Sequence, residues 1–162
     1  MSLRRQEGEY DILYAATTDP GTDTARKDPT NYTRVGLLAD LDTSLSNDAQ
    51  SALDRDSSQH ESVIYGQQSS AVNATVNVQE ENESGTTTEE PGHVLLRDAT
   101  LDQDVVHYLI QPEDDTGSAS TGLDGEYGAF VVEEFNRTSN SGEFKQYDIS
   151  GAGRKQPTFF TV

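Results

Sequence analysis

The stretch Val72-Asn-Ala-Thr-Val-Asn-Val-Gln79 decides the fold class, because apolar and polar residues alternate through it without a break. The apolar set is Val72, Ala74, Val76 and Val78, and the polar set is Asn73, Thr75, Asn77 and Gln79. A period of two is typical of a β-strand with one buried and one solvated face. Such strands belong to antiparallel sheets, since the strands of parallel sheets are buried on both faces.

Clusters of apolar residues separated by polar turns predict further strands on both sides of this one. The polar run Ser139–Gly142 predicts a tight turn that joins two of them into a hairpin. Gly151-Ala-Gly153 predicts a break before the last strand. The predicted strands are Tyr10–Ala16, Thr33–Leu38, Leu41–Ser46, Glu61–Gly66, Val105–Ile110, Glu126–Asn136, Glu143–Ile149 and Gln156–Val162.

A single helix is predicted over residues 91–103, where proline stands in the first turn and Leu101 is expected to flank the buried side. An acidic, threonine-rich linker over residues 80–90 precedes it, and turn residues predict loops over residues 17–31 and 113–125. Residues 1–9 are expected to form an N-terminal arm. Because no strand–helix–strand rhythm appears, we expect a mainly β single domain over residues 1–162. Its fold class is an antiparallel β-sandwich or barrel with one flanking α-helix.

Negative charge is the strongest feature of the composition. The 162 residues include 29 Asp and Glu against 11 Lys and Arg, a formal net charge of -18. Adaptation to strong salt and a specific acidic partner surface both fit this excess. The acids are spread from Glu7 to Asp148, which favours salt adaptation as the main cause. Without a basic patch to neutralise phosphates, tight binding to nucleic acid is not expected.

The apolar content is low. Hydrophobic residues make up 32% of the chain and the mean hydropathy is -0.72, so the core of one copy is expected to be thin and the monomer marginally stable. The first nine residues contain no apolar run, and no stretch is long enough for a membrane span, so we expect no secretion signal and no membrane contact. The protein is expected to be made in the cytoplasm.

The sequence offers no recognisable catalytic or metal site. Cysteine is absent, the three histidines His60, His93 and His107 lack metal-ligand spacing, and no Gly-x-Ser-x-Gly occurs. Glu113-Asp-Asp and Leu123-Asp-Gly contain oxygen ligands, but the spacing of a calcium loop is missing, so a solvated acidic loop is preferred. We therefore expect no enzyme, no cofactor and no bound metal.

The order of these elements resembles the major tail tube proteins of long-tailed viruses. Residues 35–48 are similar to the family's early strand with its serine-rich end, and 52–66 to the turn and strand that close on a glycine. Residues 71–78 match the alternating strand that follows, and 93–99 take the place of the short helix. The strand Val106–Pro112 and the late hairpin, 127–138 with 143–150, complete a likeness that spans most of the chain through order and spacing.

The resemblance implies that six copies join their inner sheets into one barrel and that these rings stack into a tube that viral DNA crosses without specific binding. Implied partners are the tape measure, terminator and distal tail proteins, and the implied location is the virion tail. The acid load suggests a halophilic archaeal host. The N-terminal arm and residues 17–31 are candidates for contacts with the next ring. Asp40, Asp42, Asp48 and Asp54, on or beside the early hairpin, are the expected lumen-facing acids.

Other functions remain open from the sequence alone. A head–tail connector or head-decoration protein would bind the capsid or portal instead of stacking on itself. An acidic β-sandwich adhesion module of a halophile would need a secretion signal. An enzyme is the least favoured class.

Overall fold

The computed structural model describes residues 10–36, 38–53, 61–77, 79–81, 87–89, 91–114, 116–138 and 145–162. In these residues the strands are β1 (Tyr10–Ala16), β2 (Thr33–Arg34), β3 (Leu38–Leu53), β4 (Glu61–Asn77), β5 (Gln79–Glu81), β6 (Thr87–Glu89), β7 (Val106–Glu113), β8 (Asp124–Thr138), β9 (Gln146–Gly153) and β10 (Thr158–Thr161). The helices are α1 (Asp23–Arg26) and α2 (Pro91–Asp102), and Pro29–Asn31 forms one 3-10 turn.

The main sheet is antiparallel throughout and has the order β2-β1-β7-β8-β9-β4-β3, with β10 paired to the start of β8. β5 and β6 form a separate two-stranded ladder. The predicted fold class, mainly antiparallel β with one flanking helix, is confirmed. The sheet stays open, because β2 and β3 stand at its two ends.

β8 divides the sheet into two halves that enclose the core. Its residues Glu126–Phe130 pair with β7, whereas Phe130–Thr138 pair with β9. We call β2, β1, β7, β10 and the start of β8 the first half-sheet, and β3, β4, β9 and Phe130–Thr138 the second half-sheet. The core draws on both half-sheets and on α2, and its largest fully buried members include Tyr147, Phe130, Leu13, Leu96 and Leu109.

Helix α2 covers one side of this core. Its buried residues are Gly92, His93, Leu96 and Ala99. The centroids of the His93 and Tyr147 rings are 4.6 Å apart. The expectation that Leu101 flanks the buried side is wrong, because its side chain is 74% exposed. Leu101 follows Leu96 by five residues, which turns it about 140° away from the buried stripe.

Helix α2 ends in a tight cap. Gln103 has a φ of 58°, and the Asp104 N–H donates to the Ala99 carbonyl at 2.9 Å. A left-handed residue followed by this hydrogen bond is the Schellman arrangement, in which glycine usually occupies the left-handed position. The turn after α2 therefore has a fixed course despite the glutamine at its centre.

The early hairpin is longer than predicted. β3 and β4 run continuously through segments for which separate strands or a loop were expected, and their pairing extends to Leu53 opposite Glu61. β9 covers β4 only from Ala71 to Asn77, so the rest of the hairpin extends beyond the sheet as a two-stranded arm. Serine and asparagine are compatible with a strand when its side chains are solvated on an exposed ribbon.

Three other segment predictions need correction. The linker 80–90 contains part of β5 and all of β6, and the loop 113–125 is shorter because Glu113 ends β7 and Asp124 begins β8. The glycines at 151 and 153 do not break the chain but lie within β9, where the Phe130 ring and the Ser70 side chain occupy the space that a Cβ atom would need. Glycine is needed at these two positions because neighbouring side chains pack closely against the backbone, not because the chain turns there.

The segment 17–31 is folded onto its own sheet. Thr22 caps α1 by accepting a hydrogen bond from the Ala25 N–H at 3.1 Å, and the Tyr127 hydroxyl donates to Asp23 across to β8. The Lys27 ammonium lies 5.5 Å from the centroid of the Phe160 ring. These contacts argue against this segment as a projecting arm. The other predicted arm, residues 1–9, lies outside the described residues.

Candidate functional site

The outward face of the second half-sheet is acidic. Four carboxylates lie on it, from Asp40 and Asp42 on β3, Glu134 on β8 and Asp148 on β9. We call these four residues the acidic face. The strand register identifies which described residues of this half-sheet face outward. None of these described residues is Lys, Arg or His.

Register aligns these residues in two rows across the four strands. One row is Asp42, Asn73, Ser150 and Glu134, and the next is Asp40, Thr75, Asp148 and Asn136. The rows line a depression of about 300 Å³. The Thr75 hydroxyl donates to the Asp148 carboxylate at 2.6 Å, which ties β4 to β9 across the floor of the depression.

Of the four expected lumen acids, the structure describes the side chains of two. Asp40 and Asp42 are exposed and lie together on the acidic face. Asp48 belongs to β3 at an irregularity between Asn47 and Ala49, and its side chain lies outside the described ones. Asp54 lies outside the described residues.

Sequence reasoning missed Glu134 and Asp148. Asp148 could have been predicted from the sequence. It stands between Tyr147 and Ile149, which are both buried, and this alternation is of the same kind as in β4. Glu134 could not have been predicted from the sequence, because the register shifts between Val132 and Glu134 and this shift changes which residues face outward. A bulge of this kind depends on the partner strand, which a single strand's pattern does not reveal.

Both edges of the second half-sheet are unpaired in the part of the chain that the structure describes. β3 pairs with β4 only, and Val131–Thr138 of β8 pair with β9 only. Exposed strand edges present rows of free N–H and C=O groups that can accept another strand. The second half-sheet is thus a candidate for extension by neighbouring copies on both sides.

The residues considered for chemistry have structural partners. The Glu113 carboxylate is buried, accepts a hydrogen bond from the Tyr14 hydroxyl and lies 3.5 Å from the Arg34 guanidinium. Asp114 accepts from the N–H groups of Thr116 and Ser118 at 2.9 and 3.0 Å. The expectation of a wholly solvated loop is therefore wrong at Glu113, because that carboxylate is held inside.

The histidines lie apart. His93 is packed against the core on α2, His107 is half-buried on β7, where burial lowers its pKa, and His60 lies outside the described residues. Among the residues with described positions, no three His, Cys, Asp or Glu side chains come close enough to hold a metal ion. Within the same residues, neither helix has the length and apolar character needed to cross a membrane.

Comparison by sequence finds no relative. No protein family matches the chain, and no curated protein matches it either. Comparison by structure, in contrast, finds the same fold in several assemblies.

A chain from the sixfold-symmetric tail of an empty gene transfer agent particle superposes with a TM-score of 0.60 at 10% identity, covering 92% of this chain and 94% of that one. A chain from the sheath–tube complex of an extracellular contractile injection system gives 0.61 at 12% identity, covering 94% and 88%. The SPP1 tail tube gives 0.62 at 10% identity, covering 94% and 77%. This chain shares its fold with chains of these three assemblies over nearly its whole length.

Proposed function

We propose that this protein is a structural, non-enzymatic subunit of a viral tail tube, located in the virion tail and made in the host cytoplasm. The observation that carries the proposal is the fold shared with chains of tail and injection-system assemblies over 91 to 99% of this chain. One of those tails has sixfold symmetry, and we propose the same symmetry here.

The two unpaired edges of the second half-sheet supply a route to ring closure. When β3 of one copy pairs with the Val131–Thr138 edge of the next, both exposed edges disappear. Six copies with four strands each then form one barrel. With strands about 4.8 Å apart and tilted by about 35 to 45°, the barrel measures roughly 45 to 52 Å between opposite backbones. Such a barrel is wider than a porin and encloses an open channel.

The acidic face supplies the channel surface in this arrangement. A tube that conducts DNA must not retain it, and carboxylates repel phosphates while basic side chains bind them. Asp40, Asp42, Glu134 and Asp148 then line the lumen, with Asp48 and Asp54 as further candidates on or beside the same hairpin. The arm of the β3–β4 hairpin beyond β9 is positioned to contact the adjacent ring.

The finer identity follows from charge and resemblance. We propose that the virus is long-tailed and infects a halophilic archaeal host, since a net charge of -18 is distributed over the chain and strong salt screens the repulsion that it creates. The proposed partners are further copies of this chain in stacked rings, together with tape measure, terminator and distal tail proteins. DNA passes through without specific binding.

Electron microscopy of the purified protein tests this function. The salt concentration is varied from about 0.1 to 1 M, over which the Debye length falls from about 10 to 3 Å. We expect tubes with sixfold end views and the barrel diameter given above. A protein that stays monomeric at every salt and protein concentration would contradict the proposal. Binding to capsids or portals without tube formation would instead favour the connector or decoration class.

A further inference from the structure

A pocket of about 150 Å³ opens on the first half-sheet beside α1. Tyr32, Tyr127 and Ala129 supply apolar lining, the ion pair of Arg26 with Asp19 lies at one side, and Lys155 adds a positive charge. A cavity of this size accepts a group as large as a benzene ring. The pocket is therefore large enough for one aliphatic side chain, and Lys155 leaves its rim with an excess positive charge in a chain of net charge -18.

The cations around this pocket differ in their ion pairing. Arg26 is ion-paired, because its guanidinium donates two hydrogen bonds to the Asp19 carboxylate at 3.1 and 3.0 Å. Lys155 on the rim and Arg154, which precedes it in the chain and lines a neighbouring depression, are exposed and make no ion pair with any described residue. In a chain with 29 acids and 11 basic residues, two adjacent cations with no ion pair to any described carboxylate are suited to an acidic group on another molecule.

The end of α2 has the complementary features. Leu101 is 74% exposed, and the exposed acids Asp102 and Asp104 beside it make no ion pair with any described residue. The hydrogen bond from Asp104 to Ala99 fixes the turn that carries them. An exposed apolar side chain followed by two carboxylates on a turn of fixed geometry is suited to insertion into a pocket with a positively charged rim.

We propose that the α2 end of one copy, with Leu101 as its central side chain, seats in the pocket of a second copy. Asp102 and Asp104 then face Arg154 and Lys155. Because the two surfaces are different parts of the same chain, the contact is head-to-tail and propagates into a ring or a stack. The partner is a second copy because the chain itself carries both complementary surfaces. This contact rests on the proposed self-assembly and adds to the strand pairing described above.

Charge reversal tests the contact. Removal of the apolar group in Leu101→Ala should raise the critical concentration for assembly at least about tenfold. Asp102→Lys and Lys155→Glu should each raise it as well, and the two together should restore assembly. The measurement is sedimentation of assembled protein at the lowest salt at which the wild type assembles, since salt screens exposed charges. Leu123→Ala, which removes another partly exposed leucine, is the matched control and should leave the value unchanged.

Asp102→Lys separates this contact from an effect of net charge. The substitution makes the chain less negative, so general repulsion alone predicts easier assembly, whereas the contact predicts harder assembly. The doubly reversed variant has the wild-type net charge. If Asp102→Lys and Leu101→Ala assemble as well as the wild type, the contact is overturned while the tube proposal survives. If dimers that depend on Leu101 form without tubes, the contact is supported and the tube proposal is wrong. If the wild type is strictly monomeric, both proposals are wrong.

Cross-linking gives an independent readout, because the chain has no cysteine. A mixture of Leu101→Cys and Gln156→Cys proteins, both altered at exposed positions, is assembled and treated with a flexible bis-maleimide. We expect mixed dimers between the two variants. If assembled protein yields none, while each variant still reacts with maleimide, the proposed contact is wrong.

Discussion

The ring of Phe130 on β8 lies over the Cα atom of Gly151 on β9, in the space that a Cβ atom would occupy. Phe130 is fully buried, so its ring cannot swing out into solvent to make room for a methyl group. Gly151→Ala should therefore lower the free energy of unfolding by about 1 to 3 kcal/mol, the usual penalty for overpacking a core. Denaturant unfolding at fixed salt measures it.

A double-mutant cycle identifies the cause of that loss. In a Phe130→Leu background the smaller side chain leaves room, so the added methyl group of Gly151→Ala should destabilise the protein by clearly less than in the wild type. Equal losses in both backgrounds would mean that the methyl group clashes with something other than the ring, or that backbone conformation is responsible.

Gln103 at the end of α2 offers a stabilising substitution. Its φ of 58° lies in the left-handed region, which is unfavourable for residues with a Cβ atom and accessible to glycine. Gln103→Gly should raise the free energy of unfolding by about 0.5 to 1 kcal/mol, after the greater flexibility of glycine in the unfolded chain is counted. Thermal and denaturant unfolding measure the change. Thr100→Gly, inside the same helix, should have the opposite sign.

Tyr14 links stability to alkaline pH. Burial, with a smaller contribution from the hydrogen bond to Glu113, raises the pKa of Tyr14 to about 12, whereas the pKa of an unfolded tyrosine is about 10. The neutral phenol is thus favoured in the folded state, so this stability is complete below about pH 10 and is lost as the pH rises towards about 12. Phenolate absorbance and denaturant midpoints across this range measure both effects.

Tyr14→Phe checks the assignment. The variant should lose part of the alkaline dependence while Tyr32, whose pKa burial also raises to about 12, continues to contribute. It should also be less stable at neutral pH, because the buried Glu113 loses a donor. An unchanged alkaline slope would show that other groups cause it.

Local alternation made much of the fold predictable. The alternating strand in β4 and the pairing of β8 with β9 are confirmed, while the predicted turn at 139–142 lies outside the described residues. Those signals depend only on the period of the side chains along one strand. The predicted helix over residues 91–103 agrees with α2 to within a residue at its end.

The remaining features depend on contacts between distant segments. A register shift between Val132 and Glu134 reverses the local alternation, so Glu134 was not predicted for the acidic face. Gly153 was interpreted as part of a break because glycine is common in turns, yet the Ser70 side chain requires a residue without a Cβ atom there. The helix pattern predicts Leu101 beside the buried stripe, but its angular position on α2 turns it outward, and it is exposed.

Salt should stabilise the protein through screening. With a net charge of -18, self-repulsion acts over about 10 Å at 0.1 M ionic strength and over about 3 Å at 1 M. The melting temperature should rise over this range and then level off. Sodium chloride and potassium chloride at equal ionic strength should act alike if screening is the cause. A melting temperature independent of salt would contradict adaptation to strong salt.

Reversal of charge on the acidic face tests the channel assignment. If Asp40 and Asp42 line the lumen, tubes of the Asp40→Lys/Asp42→Lys variant should retain duplex DNA and protect it from nuclease, because the lysines neutralise phosphates inside the channel. Binding should weaken with salt, with a slope of about -0.9 per neutralised phosphate. Co-sedimentation and nuclease protection measure both effects.

The matched control carries the same charge change elsewhere, as Asp11→Lys/Asp124→Lys at exposed positions on the first half-sheet. Its tubes have the same net charge as those of the channel variant, so general attraction to DNA is equal in the two. DNA attracted to the outside of a tube remains open to nuclease, whereas DNA inside the channel is enclosed by the barrel. Protection in the control, or its absence in the channel variant, would place the acidic face outside the lumen.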